Sequence, residues 1–146
     1  TNTESSAASD VYKRQRDTLH VFNTHYDHRG EKARVNSSRL LISKLKTLEL
    51  LDEKVILMGD FNSRPEEEPV KILNKAFADA YTHSEKKARG PFGTFNGFDT
   101  ASKLDQRIDY VFLMNLKALS YTAVDDKRKN GRWISDHLPV LVEVSD

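Results

Sequence analysis

Four places in this 146-residue chain put carboxylate, imidazole or amide side chains where an apolar run ends: His25, Asp60 with Asn62, Asp109, and Asp136 with His137. Side chains of these types at strand ends can converge on one edge of a sheet, where loops leave room for a ligand. Three have a plainer alternative. Asp109 and Asp60 could serve as acceptors for local backbone turns, a role that Asp favours, and His25 could be a half-buried histidine with its bonds satisfied. The chain has no cysteine, which excludes thiolate metal sites, thiol nucleophiles and disulfides. Its chemistry must come from carboxylates, histidines, hydroxyls and amides.

The elements that would position these groups follow from periodicity. TLHVFNTH, rich in β-branched and aromatic residues, predicts a strand over 18–24. Leu41, Ile42, Leu45 and Leu48 recur at helical spacing and predict a helix over 34–50. KVILMGD predicts a strand over 54–59, buried on both faces. Pro65 and the acidic Glu66, Glu67 and Glu68 open a second helix, with Val70, Leu73 and Phe77 as its stripe and Pro69 in its first turn. Residues 79–106, which include PFGTFNGF, predict a long surface loop of the functional kind. Three more strands are expected at 107–114, 117–124 and 138–144, the first two as a hairpin. Strands that alternate with helices early and run together late favour a mixed α/β sandwich over a doubly wound parallel sheet.

Composition narrows the class. The chain is 38% hydrophobic and 31% charged, as a globular domain requires. Twenty-three basic against twenty-two acidic residues leave a net charge of +1, without the footprint of a nonspecific nucleic-acid binder. The longest apolar run, Tyr110 to Met114, falls far short of the ~20 residues of a transmembrane segment. Absence of cysteine suits either redox compartment, so localisation stays open. Residues 1–17 show no helical or strand period and read as a flexible tail or as sequence foreign to the domain, which is expected to span 18–146.

GDFN at 59–62, RIDY at 107–110 and SDHLPV at 135–140, preceded by NTH at 23–25, together resemble the endonuclease/exonuclease/phosphatase superfamily, which contains the DNase I-like nucleases and related phosphodiesterases. The resemblance spans about residues 18–144. It implies a four-layered α–β–β–α sandwich of two mixed sheets, and phosphoester hydrolysis assisted by Mg²⁺ or Mn²⁺. A phosphodiesterase or nuclease comes first, a phosphatase or phospholipase-type enzyme second, and an inactive incomplete domain third. In this likeness Asp136 is a metal-site carboxylate, and Asp60 orients or deprotonates the attacking water and shares the metal. Asn62 lies near the phosphate. His137 is the catalytic histidine, Asp109 fixes its tautomer, and His25 works from the opposite side. Phe95 and Asn96, next to Thr94, either contact substrate or pin their loop. Arg34 and Arg39 touch phosphate or belong to a solvated helix face. KRKNGR at 127–132 touches a nucleic-acid backbone or is a plain exposed turn, and Trp133 walls the site or anchors a strand.

The family pattern opens with a strand carrying Asn and a strand carrying a metal-binding Glu, and neither precedes NTH here. The expectation is therefore the C-terminal portion of the domain, contributing mainly one mixed sheet with its helices. Its inner face would then lie open to water, making the isolated chain unstable or prone to self-association.

Overall fold

The structure, a computed structural model, describes residues 18–146; the tail expected over 1–17 lies outside them. The described elements are β1 Leu19–His25, α1 Glu31–Thr47, β2 Lys54–Asp60, α2 Glu68–Leu73, β3 Ala78–Asp79, α3 Ala80–His83, β4 Asp109–Met114, β5 Lys117–Ala123 and β6 Val140–Ser145. One mixed sheet runs in the order β1-β2-β4-β3, and β5 pairs β6 in a second sheet.

Strand direction and register gather the polar ends. β1 and β2 are parallel, which requires a crossover, and α1 provides it. β4 runs antiparallel to β2. The ends of β1 and β2 and the start of β4 therefore share one sheet edge, with His25 beside Asp60 and Asp60 beside Asp109. Gly59 makes this row possible. Its φ is 138°, and a Cβ there would fall 1.9 Å from the Thr24 carbonyl oxygen, so any other residue would force β1 away from β2.

The two faces of the mixed sheet are covered differently. On one, Val55, Leu57 and Phe112 meet Leu45 of α1 and Val70 and Leu73 of α2 in a closed core. Phe61 is fully buried there, edge-on to Tyr26 and Phe112 at 4.8 and 5.3 Å. On the other face, Leu113, Ala118, Tyr121 and Ala123 pack with Ile56, Val111 and Val142, so the β5–β6 ribbon lies over β2 and β4. Helices, mixed sheet and second sheet form the mixed α+β sandwich that the sequence suggests.

Several expectations need correction. α1 starts and ends earlier than predicted, and Leu48 is exposed. The Asp27 carboxylate accepts the N–H groups of Arg29 and Gly30, both at 2.6 Å, and so closes a turn ahead of the helix. α2 begins at Glu68 rather than Pro65, because a turn in which Glu67 N–H donates to the Arg64 carbonyl at 3.0 Å precedes it. β4 and β5 form no hairpin. Asn115 has φ 55° and donates its amide to the Leu51 and Glu53 carbonyls, directing β5 into the second sheet. Residues 79–106 are not all loop, since β3 ends and α3 lies within them. The inner face is not wholly open either: the ribbon covers Ile56 but leaves its β1 neighbour Val21 at 52% exposure.

Candidate active site

The loop after β2 is clamped from both sides. Tyr26 N–H donates to the Asp60 carbonyl at 2.8 Å, and Phe61 N–H to the Ile108 carbonyl at 2.9 Å. Asn62, at φ 44°, turns back on Asp60. Its backbone N–H donates to Asp60 Oδ1 at 2.8 Å, and its amide nitrogen donates to Asp60 Oδ2 at 3.2 Å and to the Tyr26 carbonyl at 2.9 Å. Both amide protons are thus used, one on Asp60 and one on the Tyr26 carbonyl.

Two imidazoles approach the same carboxylate. His25 Nε2 lies 3.3 Å and His137 Nε2 3.8 Å from Asp60 Oδ2. The other nitrogen of His137, Nδ1, sits 2.8 Å from Asp109 Oδ2. An ionised carboxylate only accepts, so Nδ1 carries the proton there and Nε2 faces Asp60. Burial works against a charged His137 ring, but the Asp109 hydrogen bond and the negative charges of Asp109, Asp60 and Asp136 outweigh it and raise its pKa. Burial also raises the pKa of Asp109, against hydrogen bonds from Thr94 and His137 that lower it.

His25, Asp60, Asn62, Asp109, Asp136 and His137 all line one cleft of about 540 Å³. The remaining candidates do not. Phe95 packs edge-on against the His137 ring at 5.1 Å. Asn96 is 3% exposed, donating to the Ser135 carbonyl at 3.0 Å and accepting Phe98 N–H at 2.8 Å, so its amide is engaged within the protein. Arg34 is buried, bonded to the Asp27 carbonyl and near Glu67 at 3.6 Å; it ties α1 to its neighbours rather than meeting phosphate or solvent. Arg39 lines a separate groove with Ile42 and Lys75. In the basic turn, Lys127 lies over the Trp133 ring at 4.2 Å, and Trp133 donates to the Asp99 carbonyl, anchoring that loop.

His28 and Ser135 complete the cleft lining, and sequence reasoning missed both. A second histidine three residues after His25 was the available signal.

Asp60, Asp109 and His137 offer metal-ligand atoms within 4.8 Å of one another, and Asp136 opens on the same cleft. Carboxylate oxygens suit a hard divalent cation. Asp136 lines the cleft but is not among the three residues whose ligand atoms cluster.

The profile of the Endonuclease/Exonuclease/phosphatase family matches residues 14–137. Among solved structures, a conserved protein of unknown function from Enterococcus faecalis V583 is 29% identical with a TM-score of 0.78, over 86% of this chain and 49% of that one. A mannosyl-6-phosphatase from Bacteroides thetaiotaomicron VPI-5482 is 34% identical with a TM-score of 0.76, over 86% of this chain and 51% of that one. TDP2 from D. rerio, complexed with a single-strand DNA product, shares the fold at 19% identity and a TM-score of 0.69, over 89% of this chain and 57% of that one. The chain spans about half the length of the first two. No curated protein matches it. With the profile covering most of its length and the motif residues gathered in one cleft, the chain belongs to the endonuclease/exonuclease/phosphatase family.

Proposed function

We propose that this chain carries the phosphoester-hydrolysing face of its family's active site. The observation that supports it best is the pairing of His137 with Asp109 at 2.8 Å, opposite an Asp60 held by Asn62 and shared with His25. A phosphate in the cleft meets imidazoles from two sides. His137, held upright by Asp109, presents Nε2–H to a phosphoryl oxygen while its ring is protonated. Asp60, oriented by Asn62, accepts the proton of the attacking water. Asp60 and Asp136 would hold Mg²⁺ or Mn²⁺, which would neutralise charge gathering on the phosphate oxygens.

The substrate is proposed to be a small phosphoester, a sugar phosphate before a nucleic acid. The net charge of +1 lacks a polyanion footprint, and the similar mannosyl-6-phosphatase points the same way. On these two supports we rank a phosphatase reading above the nuclease and phosphodiesterase reading that the motifs alone suggest. A panel of mannose 6-phosphate, a nitrophenyl phosphate, its diester, plasmid DNA and single-stranded RNA tests it, with EDTA and Mg²⁺ add-back. The expected result is EDTA-sensitive release of phosphate from the monoesters, abolished in His137→Ala. Turnover confined to DNA or RNA would reverse the ranking, and turnover indifferent to His137 would remove the assigned chemistry.

The uncovered β1 face supports self-association of the isolated chain through Leu19 and Val21. Size-exclusion chromatography should show oligomers that Val21→Lys returns to monomer; a monomeric wild type would rule this out.

A further inference from the structure

We propose that Thr94–Asn96 is a positioning strap that sets the geometry of the Asp109–His137 pair, with the Thr94 hydroxyl as its working group. The inference rests on the phosphoester reading above only for what the pair is used for.

Thr94 is fully buried. Its Oγ1 accepts the backbone N–H groups of Ile108 and Asp109, each at 3.1 Å. Its side chain also works to lower the pKa of Asp109, against the effect of burial. A hydroxyl has one proton to give and two lone pairs to receive with. Both lone pairs are spent at the start of β4, on the backbone of Ile108 and of Asp109, the residue that holds His137. The Thr94 N–H donates to the Gln106 carbonyl at 2.8 Å, so the main chain is held on the same side.

The other side of the strap holds the segment that carries His137. The Thr94 carbonyl accepts Leu138 N–H at 2.7 Å, and Asn96 N–H and Gly97 N–H both donate to the Asp136 carbonyl, at 2.8 and 3.2 Å. The Asn96 amide donates to the Ser135 carbonyl at 3.0 Å. Phe95, between the two anchors, lies edge-on to the imidazole. Three consecutive residues thus bind Asp109 on one side and residues 135, 136 and 138 on the other, bracketing His137. The distance between the two partners is set from outside the pair.

A strap of this kind acts through other groups and touches no substrate. Losing it should lower turnover without weakening binding. Thr94→Val keeps the size and removes the hydroxyl; Thr94→Ser keeps the hydroxyl and removes a methyl. For Thr94→Val we expect kcat on the best phosphoester of the panel to fall about 10- to 100-fold, as for lost outer-shell partners, with KM within about twofold. Thr94→Ser should stay within about threefold of wild type. The second readout needs no turnover: the low-field proton resonance of His137 Nδ1–H should be lost or broadened in Thr94→Val and retained in Thr94→Ser. Equal losses in the Val and Ser variants, or an unchanged kcat and resonance in Thr94→Val, would overturn the proposal. If Thr94→Val does not fold, Asn96→Ala decides by the same two readouts. A wild type with no phosphoester turnover would end the functional reading, while the resonance still decides the strap.

Discussion

Two aspartate pairs flank the start of β4 and use similar chemistry for opposite ends. Arg107 donates two hydrogen bonds to Asp79, at 3.0 and 2.6 Å, and their side chains are 2% and 4% exposed. The guanidinium lies over the rings of Tyr110 and Tyr81, at 4.4 and 4.7 Å. Two residues later, Asp109 meets His137 with side chains 19% and 27% exposed. The first pair is sealed. Its cation cannot be deprotonated and no ligand reaches it, so it can only hold β3, β4 and the 79–106 segment together. The second leaves one imidazole nitrogen facing a cleft, with a charge that can change. Access and a titratable partner, rather than charge as such, separate the pair proposed to function from the structural one.

The largest effect should come from breaking the sealed pair. Asp79→Ala leaves the Arg107 charge buried without a partner, and should cost about 3–5 kcal/mol of unfolding free energy in urea titrations. The double variant Asp79→Leu with Arg107→Met should recover most of that, because apolar side chains of similar volume remove the unpaired charge. A loss below about 1 kcal/mol in Asp79→Ala would mean that the pair does not hold the fold, and the contrast would fail.

Breaking the open pair should reverse the pattern. Asp109→Asn keeps the shape but no longer stabilises a protonated His137, and turnover should drop about 10²- to 10⁴-fold. Stability should change by no more than about 1 kcal/mol, since the site is half open to water and burial already disfavours the Asp109 charge. Parallel urea and activity measurements on both variants give a crossed result if the comparison holds. A large stability loss in Asp109→Asn would merge the two roles.

The sequence made the open pair visible and hid the sealed one, for a physical reason. Asp60 and Asp109 border short apolar strands, so the break in pattern marks them, and their motif company marks them again. Asp79 sits at the margin of the 79–106 stretch, which has no period to say which side chains point inward, and Arg107, though it opens the RIDY motif, carries no signal that names its partner. Their ring contacts with Tyr81 and Tyr110 depend on tertiary placement alone. The bonds of Asn96 to Ser135 and Phe98 were not legible, because spacing does not give the direction of a hydrogen bond. The β4–β5 pairing was misjudged because two intervening residues fit a hairpin; the side-chain bonds of Asn115 to Leu51 and Glu53, more than sixty residues away in sequence, override that local preference. The gathering of His25, Asp60 and Asp109 into one row needed strand order and register, which the motifs imply only through family likeness.

The smallest expected effect is the dependence of stability on pH that the open pair carries. The folded-state pKa of His137 is raised above its ordinary 6.5. A raised imidazole contributes stability that is fully present below the unfolded value and is lost as pH rises through the folded one. Asp109 is also raised, above 3.8, by burial. A carboxylate shifted that way holds its proton longer in the folded state, so stability falls as pH climbs from 3.8 to the folded value. Both contributions therefore slope downward with pH, in an acidic window for Asp109 and a near-neutral one for His137. Asp109→Asn removes the first and, by deleting the nearest charge and weakening the hydrogen bond while burial remains, moves the His137 midpoint toward acid. Urea midpoints collected in EDTA from about pH 4 to about pH 8 should be flatter in the variant than in wild type. The titration of the His137 ring protons, followed by NMR under the same conditions, should shift to lower pH. A midpoint that stays in place would show that Asp109 does not govern the charge of His137, and the open pair would then be no more than a second, poorly sealed copy of the first.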